Sequence, residues 1–257
     1  QYSFREACGF TPHPNENLFD QWASKHPFQL SELFPSIHLN KVHPINLSVS
    51  STWMGHQEEF NNLEWFQYKM KQRQKEVPNK IIAGGYLEPR PIYTSSAYDR
   101  IGNYGRESRS IHLGVDYWLP LETPIHSLLE GEVVIAINDA GFKEYGGLVV
   151  LKHQTEALTF YTLYGHLSKK SATKNKIGDC IKKGSKIGNL GNYFENGNWE
   201  PHLHFQVLLS LLNYKVDYPG VAYFSEIAVW KSICPTPNLL IKSEELEKKE
   251  NTSQEDL

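Results

Sequence analysis

From about Ile81 onward, short apolar runs alternate with clusters of Gly, Pro, Asn and Asp. The runs are "GEVVIAIND", "GGLVVLKH", "LTFYTLYGHLS", "DCIKKGSKIGNLGN" and "PHLHFQVLLSLL". Val, Ile, Tyr and Thr dominate them, residue types that fit a pleated, half-buried surface. Their spacing predicts an antiparallel, mainly β domain over residues 81–241. "DAGFKEYGG" and "HQTEAL" read as connections between consecutive strands. "GGYLEPRPIYTSS" reads as an extended edge segment, where proline is tolerated.

The pattern before Ile81 has a different period. In "GHQEEFNNLEWFQYKMKQRQKEVPNK", Phe60, Leu63, Phe66 and Met70 recur at three and four residues, with Lys, Arg and Gln between them. This predicts an amphipathic helix from about Gln57 to Glu76, stopped by Pro78. Further upstream, "NLFDQWASKHPFQLSELF" has room for one or two short helices, and "PINLSVSS" alternates like a strand. Residues 1–80 therefore read as a helical N-terminal extension. At the other end, "KSEELEKKENTSQEDL" has almost nothing to bury, which predicts a disordered tail over residues 242–257.

The chain has 257 residues and is 40% hydrophobic, enough for one sizeable core or one domain plus an extension. Its net charge of -3 argues against a nucleic-acid partner, because phosphate contacts need a basic surface. No apolar run reaches the length of a membrane span. The start "QYSFREACGF" has no basic, apolar or cleavage-site segment of a secretory signal. Cys8, Cys180 and Cys234 are odd in number and far apart, without a CxxC pair. They read as free thiols rather than a disulfide framework or a thiolate zinc site.

The candidate chemistry lies in three histidine-bearing stretches. As a strand, "EPHLHFQV" puts His202, His204 and Gln206 on one face and Leu203, Phe205 and Val207 on the other. Two imidazoles on one strand face could share an ion, or could equally be solvated on a polar outer face. "SIHLGVDYW" offers His112 and Asp116, about 13 Å apart in a straight strand. They could share an ion only if the chain bends between them, and Gly114 is where it could do so. "FYTLYGHLS" ends an aromatic strand with Gly165 and His166. Each stretch alone is a weak signal. Together they contain the two histidines and one carboxylate of a catalytic zinc set, with histidines to spare for acid–base work on water. His126 and His153 lack such context and read as structural. His13, His26, His38 and His43 read as loop or surface residues.

"HLGVD", "YGHLS" and "PHLHFQV", in that order, resemble the signature of the M23 (LytM/lysostaphin-type) metallopeptidases. The resemblance spans roughly Gly85 to Leu208 and includes "LPLETPIHSLLEGEVV" and "IKKGSKIGNLGN". It implies an antiparallel β-sandwich and one zinc ion per chain, held by His112, Asp116 and His204. It also implies His166 and His202 as the catalytic histidines, and hydrolysis of a peptide or peptidoglycan cross-link. An M23-like module that binds without cleaving is the alternative; a lipoyl- or biotinyl-type carrier lacks its lysine in a tight turn. The flanks "REACGFTPHPN", "GGYLEPRPIYTS", "VDYPGVAY" and "PTPNLLI" resemble the M23 segment of fusions with a phosphotransferase and an aminotransferase. That likeness implies a cytoplasmic location, whereas most of the family works in the cell envelope or outside the cell. The scissile bond and the oligomeric state have no readable code in the sequence.

Overall fold

The β-branched and aromatic runs form thirteen strands among the residues described by the computed structural model, namely 11–55, 61–93, 96–103, 105–139 and 141–255. The strands are β1 (Val42–Pro44), β2 (Ile81–Gly84), β3 (Asp99–Gly102), β4 (Gly105–His112), β5 (Val115–Trp118), β6 (Pro124–His126) and β7 (Gly131–Asp139). They continue with β8 (Gly146–Gln154), β9 (Thr159–Leu167), β10 (Cys180–Ile181), β11 (Lys186–Asn189), β12 (His202–Leu208) and β13 (Val221–Tyr223). The helices are α1 (Glu16–Lys25), α2 (Leu30–Leu33), α3 (Leu63–Glu76), α4 (Lys169–Lys174), α5 (Ile227–Ile233) and α6 (Glu244–Glu255).

The main sheet has eight strands in the order β1-β2-β5-β12-β9-β8-β7-β10. All its pairs are antiparallel except β1–β2. Two smaller sheets, β11-β6 and β13-β4-β3, complete a mainly β architecture with helices at the N-terminal end, as the apolar pattern predicts. Leu203, Phe205 and Val207 of β12 are fully buried in the main core, as their alternation requires. The opposite face of the same strand is also buried: Gln206 is fully enclosed, and His202 and His204 are at most 5% exposed. A central strand flanked by β5 and β9 has no solvated outer face here.

The N-terminal extension is part of the same body. β1 pairs with β2 across the boundary expected at residue 80. A second apolar cluster joins Leu47, Met54 and Met70 to Ile82, Ile92 and Trp118. The helix ends at Glu76 as expected, and Asn62 caps its start by accepting a hydrogen bond from Trp65 N (2.9 Å). The expected start at Gln57 lies outside the described residues. The strand expected in "PINLSVSS" stops at Pro44. Beyond it Asn46 Oδ1 accepts from Ser48 N (2.9 Å), a side-chain turn that competes with strand pairing.

The C-terminal tail departs most from expectation. Glu244–Glu255 is helical, not disordered, and Leu246 is only 2% exposed within the main core. Ser243 and Asn238 anchor its start: Ser243 N donates to Asn238 Oδ1 (2.8 Å), and Asn238 Nδ2 donates to Ser243 O (3.2 Å). Leu246, this reciprocal pair and the bond from Lys249 to Glu88 Oε1 (2.8 Å) dock a segment whose composition alone predicts disorder. Leu246→Ala should therefore lower stability by roughly 2–5 kcal/mol in a urea titration. A free tail would leave the midpoint unmoved.

Candidate metal centre

Strand register assembles the centre. His204 of β12 lies directly opposite Asp116 on one side and Gly165 on the other. Asp116 in turn lies opposite Gly84. One row across four strands therefore runs Gly84, Asp116, His204, Gly165, and side chains directly opposite one another share a face. The next row toward the strand end pairs His202 with Trp118, and their rings stack at 5.5 Å. His112 comes from the end of β4, in the other sheet. The chain breaks at Leu113 and Gly114 before β5 begins, the bend needed to bring His112 back over Asp116. Gly114 serves there by its size rather than by an unusual φ: a Cβ would sit 2.8 Å from His204 Cε1 and Nε2.

His112, Asp116 and His204 each turn one ligand atom to a common point. His112 Nε2 and His204 Nδ1 are 2.9 Å apart. Asp116 Oδ1 is 3.3 Å from the first and 3.1 Å from the second. The other ring nitrogens are committed. His112 Nδ1 faces Gly85 O (2.9 Å) and His204 Nε2 faces Gln206 Oε1 (2.9 Å). Both partners are acceptors, so both of those nitrogens carry the proton. Gln206 is itself oriented by donating to Pro219 O and Cys234 Sγ. Two imidazole lone pairs and a carboxylate oxygen thus converge with no proton between them. Tetrahedral zinc with bonds near 2.0–2.1 Å needs ligand atoms about 3.3 Å apart, close to the sides of this triangle. The donor set fits one zinc ion.

The charges around the triangle suit the same ion. Burial, then the neighbouring Arg90, holds His112 down to about 4, so it is neutral near pH 7, as a metal ligand must be. Burial alone would raise the Asp116 carboxyl, but His112, Arg90 and His202 together hold it well below the usual carboxylate range. Because His112 is itself neutral at that pH, Arg90 is the permanent cation among these. Arg90 Nη1 donates to Asp116 Oδ2 (2.6 Å), leaving Oδ1 for the metal. Arg90 Nε donates to Glu88 Oε2 (2.9 Å), and Lys249 of α6 pairs with Glu88 Oε1 (2.8 Å). Gly85, at φ +109°, passes so close to this chain that a Cβ there would overlap Arg90 Nη2.

His166 and His202 stand beside the triangle with ring centroids 4.3 Å apart. His166 Nδ1 donates to Asn196 O (2.9 Å) and His202 Nδ1 to Glu200 O (2.7 Å), so each presents a bare Nε2. His202 Nε2 is 3.7 Å from Asp116 Oδ1. Burial and the neighbouring His202 and His204 hold His166 well below its ordinary value; burial likewise lowers His202, against the pull of Asp116. His166 sits at φ +62°, an uncommon conformation for a non-glycine residue. All five expected site residues meet in one groove, walled partly by Leu63 and Phe66 of the extension. His153 is elsewhere, between Glu130 O and Thr162 Oγ1, and His126 faces Gly184 O. Cys234 is buried and Cys180 exposed, both as free thiols; Cys8 lies outside the described residues.

Gln206 shares the histidine face of "EPHLHFQV", but its bond to His204 has no sequence signal, and Arg90, Glu88 and Lys249 belong to no motif. The alternation Glu88-x-Arg90 inside a Pro-rich edge was the available signal, and it is a faint one.

Residues 110–215 match the family model "Peptidase family M23". Lysostaphin of Staphylococcus staphylolyticus is 29% identical over 131 residues, half of this chain and 25% of that protein. Peptidoglycan DD-endopeptidase ShyA of Vibrio cholerae is 33% identical over 98 residues, 38% of this chain and 20% of that protein. A crystal structure of a zinc-containing peptidase from Vibrio cholerae is 31% identical with a TM-score of 0.32, covering 39% of this chain and 28% of that one. The chain spans about a quarter or less of the length of these curated relatives.

Arg90→Gln should weaken zinc binding about 10–100-fold, the range for groups that orient a metal ligand, in a chelator competition assay. The metal-free protein should lose stability as pH falls from about 6.5 toward 4. His112 and His153 are both held down to about 4 by burial, so the unfolded chain binds more protons in that window. A urea midpoint that stays flat from pH 7 to 4.5 would contradict this.

Proposed function

We propose, from the premise that residues 110–215 are a domain of peptidase family M23, that this chain is a zinc-dependent endopeptidase acting on peptide bonds, foremost those of peptidoglycan cross-links. The observation that carries the reading is the convergence of His112 Nε2, Asp116 Oδ1 and His204 Nδ1 beside two further histidines with bare Nε2 atoms. One of the relatives is named as a peptidoglycan DD-endopeptidase, which supports that substrate class. Zinc held there supplies a Lewis acid that brings the pKa of water to about 7 and polarises a carbonyl.

The chain's own residues supply the proton handling. His166 and His202 are neutral near pH 7, and each has its Nδ1 tied to a backbone carbonyl, so each can accept a proton only at Nε2. One of them takes the proton of the attacking water and returns it to the leaving amine nitrogen. The other stays neutral and accepts a hydrogen bond from the same water at its bare Nε2, which orients it; the imidazolium formed by the proton transfer is the ring that can donate to the oxygen of the former carbonyl. Their rings are too close for both to be charged at once, which keeps one of the pair available as base. Trp118, stacked on His202, fixes that ring's plane. The extension presses Phe66 against Trp118, centroids 6.5 Å apart, and so supports the site from the side.

Purified peptidoglycan should yield new free amines when treated with the zinc-loaded protein. His204→Ala should lose both zinc and cleavage. His166→Ala and His202→Ala should keep zinc and lose about 10²–10⁴ in rate. A protein with one zinc per chain that releases no amine from any cross-link would instead mark a binding module.

A further inference from the structure

Lys143 lies in the loop between β7 and β8 and lines the same groove as the histidines. It is 7% exposed, yet it forms no ion pair and no side-chain hydrogen bond with any described residue. Its Nζ lies 3.7 Å above the centre of the Trp199 ring. A buried ammonium without a carboxylate is costly, and the Trp199 face, with the Phe142 ring a further 5.5 Å from Nζ, offsets only part of that cost. If the position served packing alone, Met or Leu would fill it without the loss of hydration.

The position is also held with care. Lys143 is one of six non-glycine residues at positive φ (+67°) among the described residues. Its N–H donates to Gly197 O (2.9 Å), its carbonyl accepts from Tyr98 Oη (2.7 Å), and Trp199 Nε1 donates to Glu144 O (3.2 Å). Two loops are thus pinned together with the ammonium on the indole. Trp199 in turn packs against His166 and His202, centroids 6.1 and 6.4 Å apart, so Lys143 sits one indole ring away from the reacting groups.

We infer that Lys143 and Trp199 form a subsite for a carboxylate of the peptide substrate, either its chain terminus or an acidic side chain. The nature of that ligand rests on the endopeptidase reading; the unpartnered cation in the groove does not. The indole carries the adjoining apolar or backbone surface of the peptide. The ammonium supplies up to three N–H donors to the carboxylate oxygens, in a site with little water to compete. Burial brings Lys143 down to about 8, which leaves it charged at neutral pH and able to act in this way.

Three probes separate the possibilities: acetyl-Gly-Gly-Gly as the free acid, the same peptide as its C-terminal amide, and acetyl-Gly-Glu-Gly amide. Binding to the zinc-loaded protein is followed by calorimetry and by indole fluorescence. Wild type should hold the free acid or the glutamate peptide about tenfold more tightly than the neutral amide, one charge-assisted contact's worth. Which of the two wins identifies a terminal or a side-chain carboxylate. Lys143→Met should bind all three alike, and Lys143→Arg should keep the preference. Lys143→Gln is the second charge-removing variant should the Met variant fail to fold. No preference for either acid in wild type overturns the subsite. So does a preference that survives in Lys143→Met, as it would if the carboxylate bound the zinc. Amine release from peptidoglycan is read in parallel. An acid preference lost in Lys143→Met without any hydrolysis upholds the subsite and removes the endopeptidase reading.

Discussion

A single buried carboxylate, Asp116, carries the constraint on which the rest of the structure depends. It is 1% exposed and ionised, so both of its oxygens must be matched. Oδ1 faces His112 and His204, and Oδ2 takes Arg90. Arg90 brings a buried positive charge, which Glu88 answers; Glu88 is answered by Lys249. Four charges alternate in sign from the metal site to the C-terminal helix. Removing Arg90 leaves Asp116 and Glu88 as two buried carboxylates without the cation between them, a cost of several kcal/mol. The helix that composition alone would leave disordered is in this way coupled to the orientation of a metal ligand.

The same constraint explains why the N-terminal extension is built into the sheet. Glu88 Oε1 also accepts from Leu47 N (3.0 Å), and Lys249 donates to Ile45 O. The segment after β1 is therefore held from below by the charge chain and from above by the apolar cluster around Met70 and Trp118. Trp118 faces both ways: one side meets the extension and the other stacks on His202. Packing energy from a region outside the matched domain thus sets the position of a ring in the groove.

The five residues of the candidate site were legible in the sequence because local periodicity and motif order carry them. His202 and His204 share a face by the period of two, and Gly114 marks the bend between His112 and Asp116. The role of Gly114 was less legible: its lack of a side chain, rather than its conformational freedom, admits the His204 ring. The burial of the histidine face of β12 was not legible at all, because strand alternation says which residues share a side but not whether another element covers it. The docking of Glu244–Glu255 was hidden for a related reason. Its single apolar anchor, Leu246, and its one cation bound for Glu88 are ordinary in a polar segment.

The sequence by itself determined the mainly β character, the helix ending at Glu76 and the histidines grouped by strand face. All of these follow from spacing along one chain, where the periods of strand and helix act directly. Only the tertiary structure decided the rest. Register across β2, β5, β12 and β9 placed Asp116, His204 and Gly165 in one row, and β4 returned His112 to it. Arg90, Glu88 and Lys249 were joined across up to 161 residues of chain. Lys143 was set on Trp199 without an ion pair among the described residues. These are contacts between residues far apart in sequence, fixed by the mutual burial of whole strands and, for Asp116, Arg90, Glu88 and Lys249, by the pairing of buried charges, and neither leaves a local period to read.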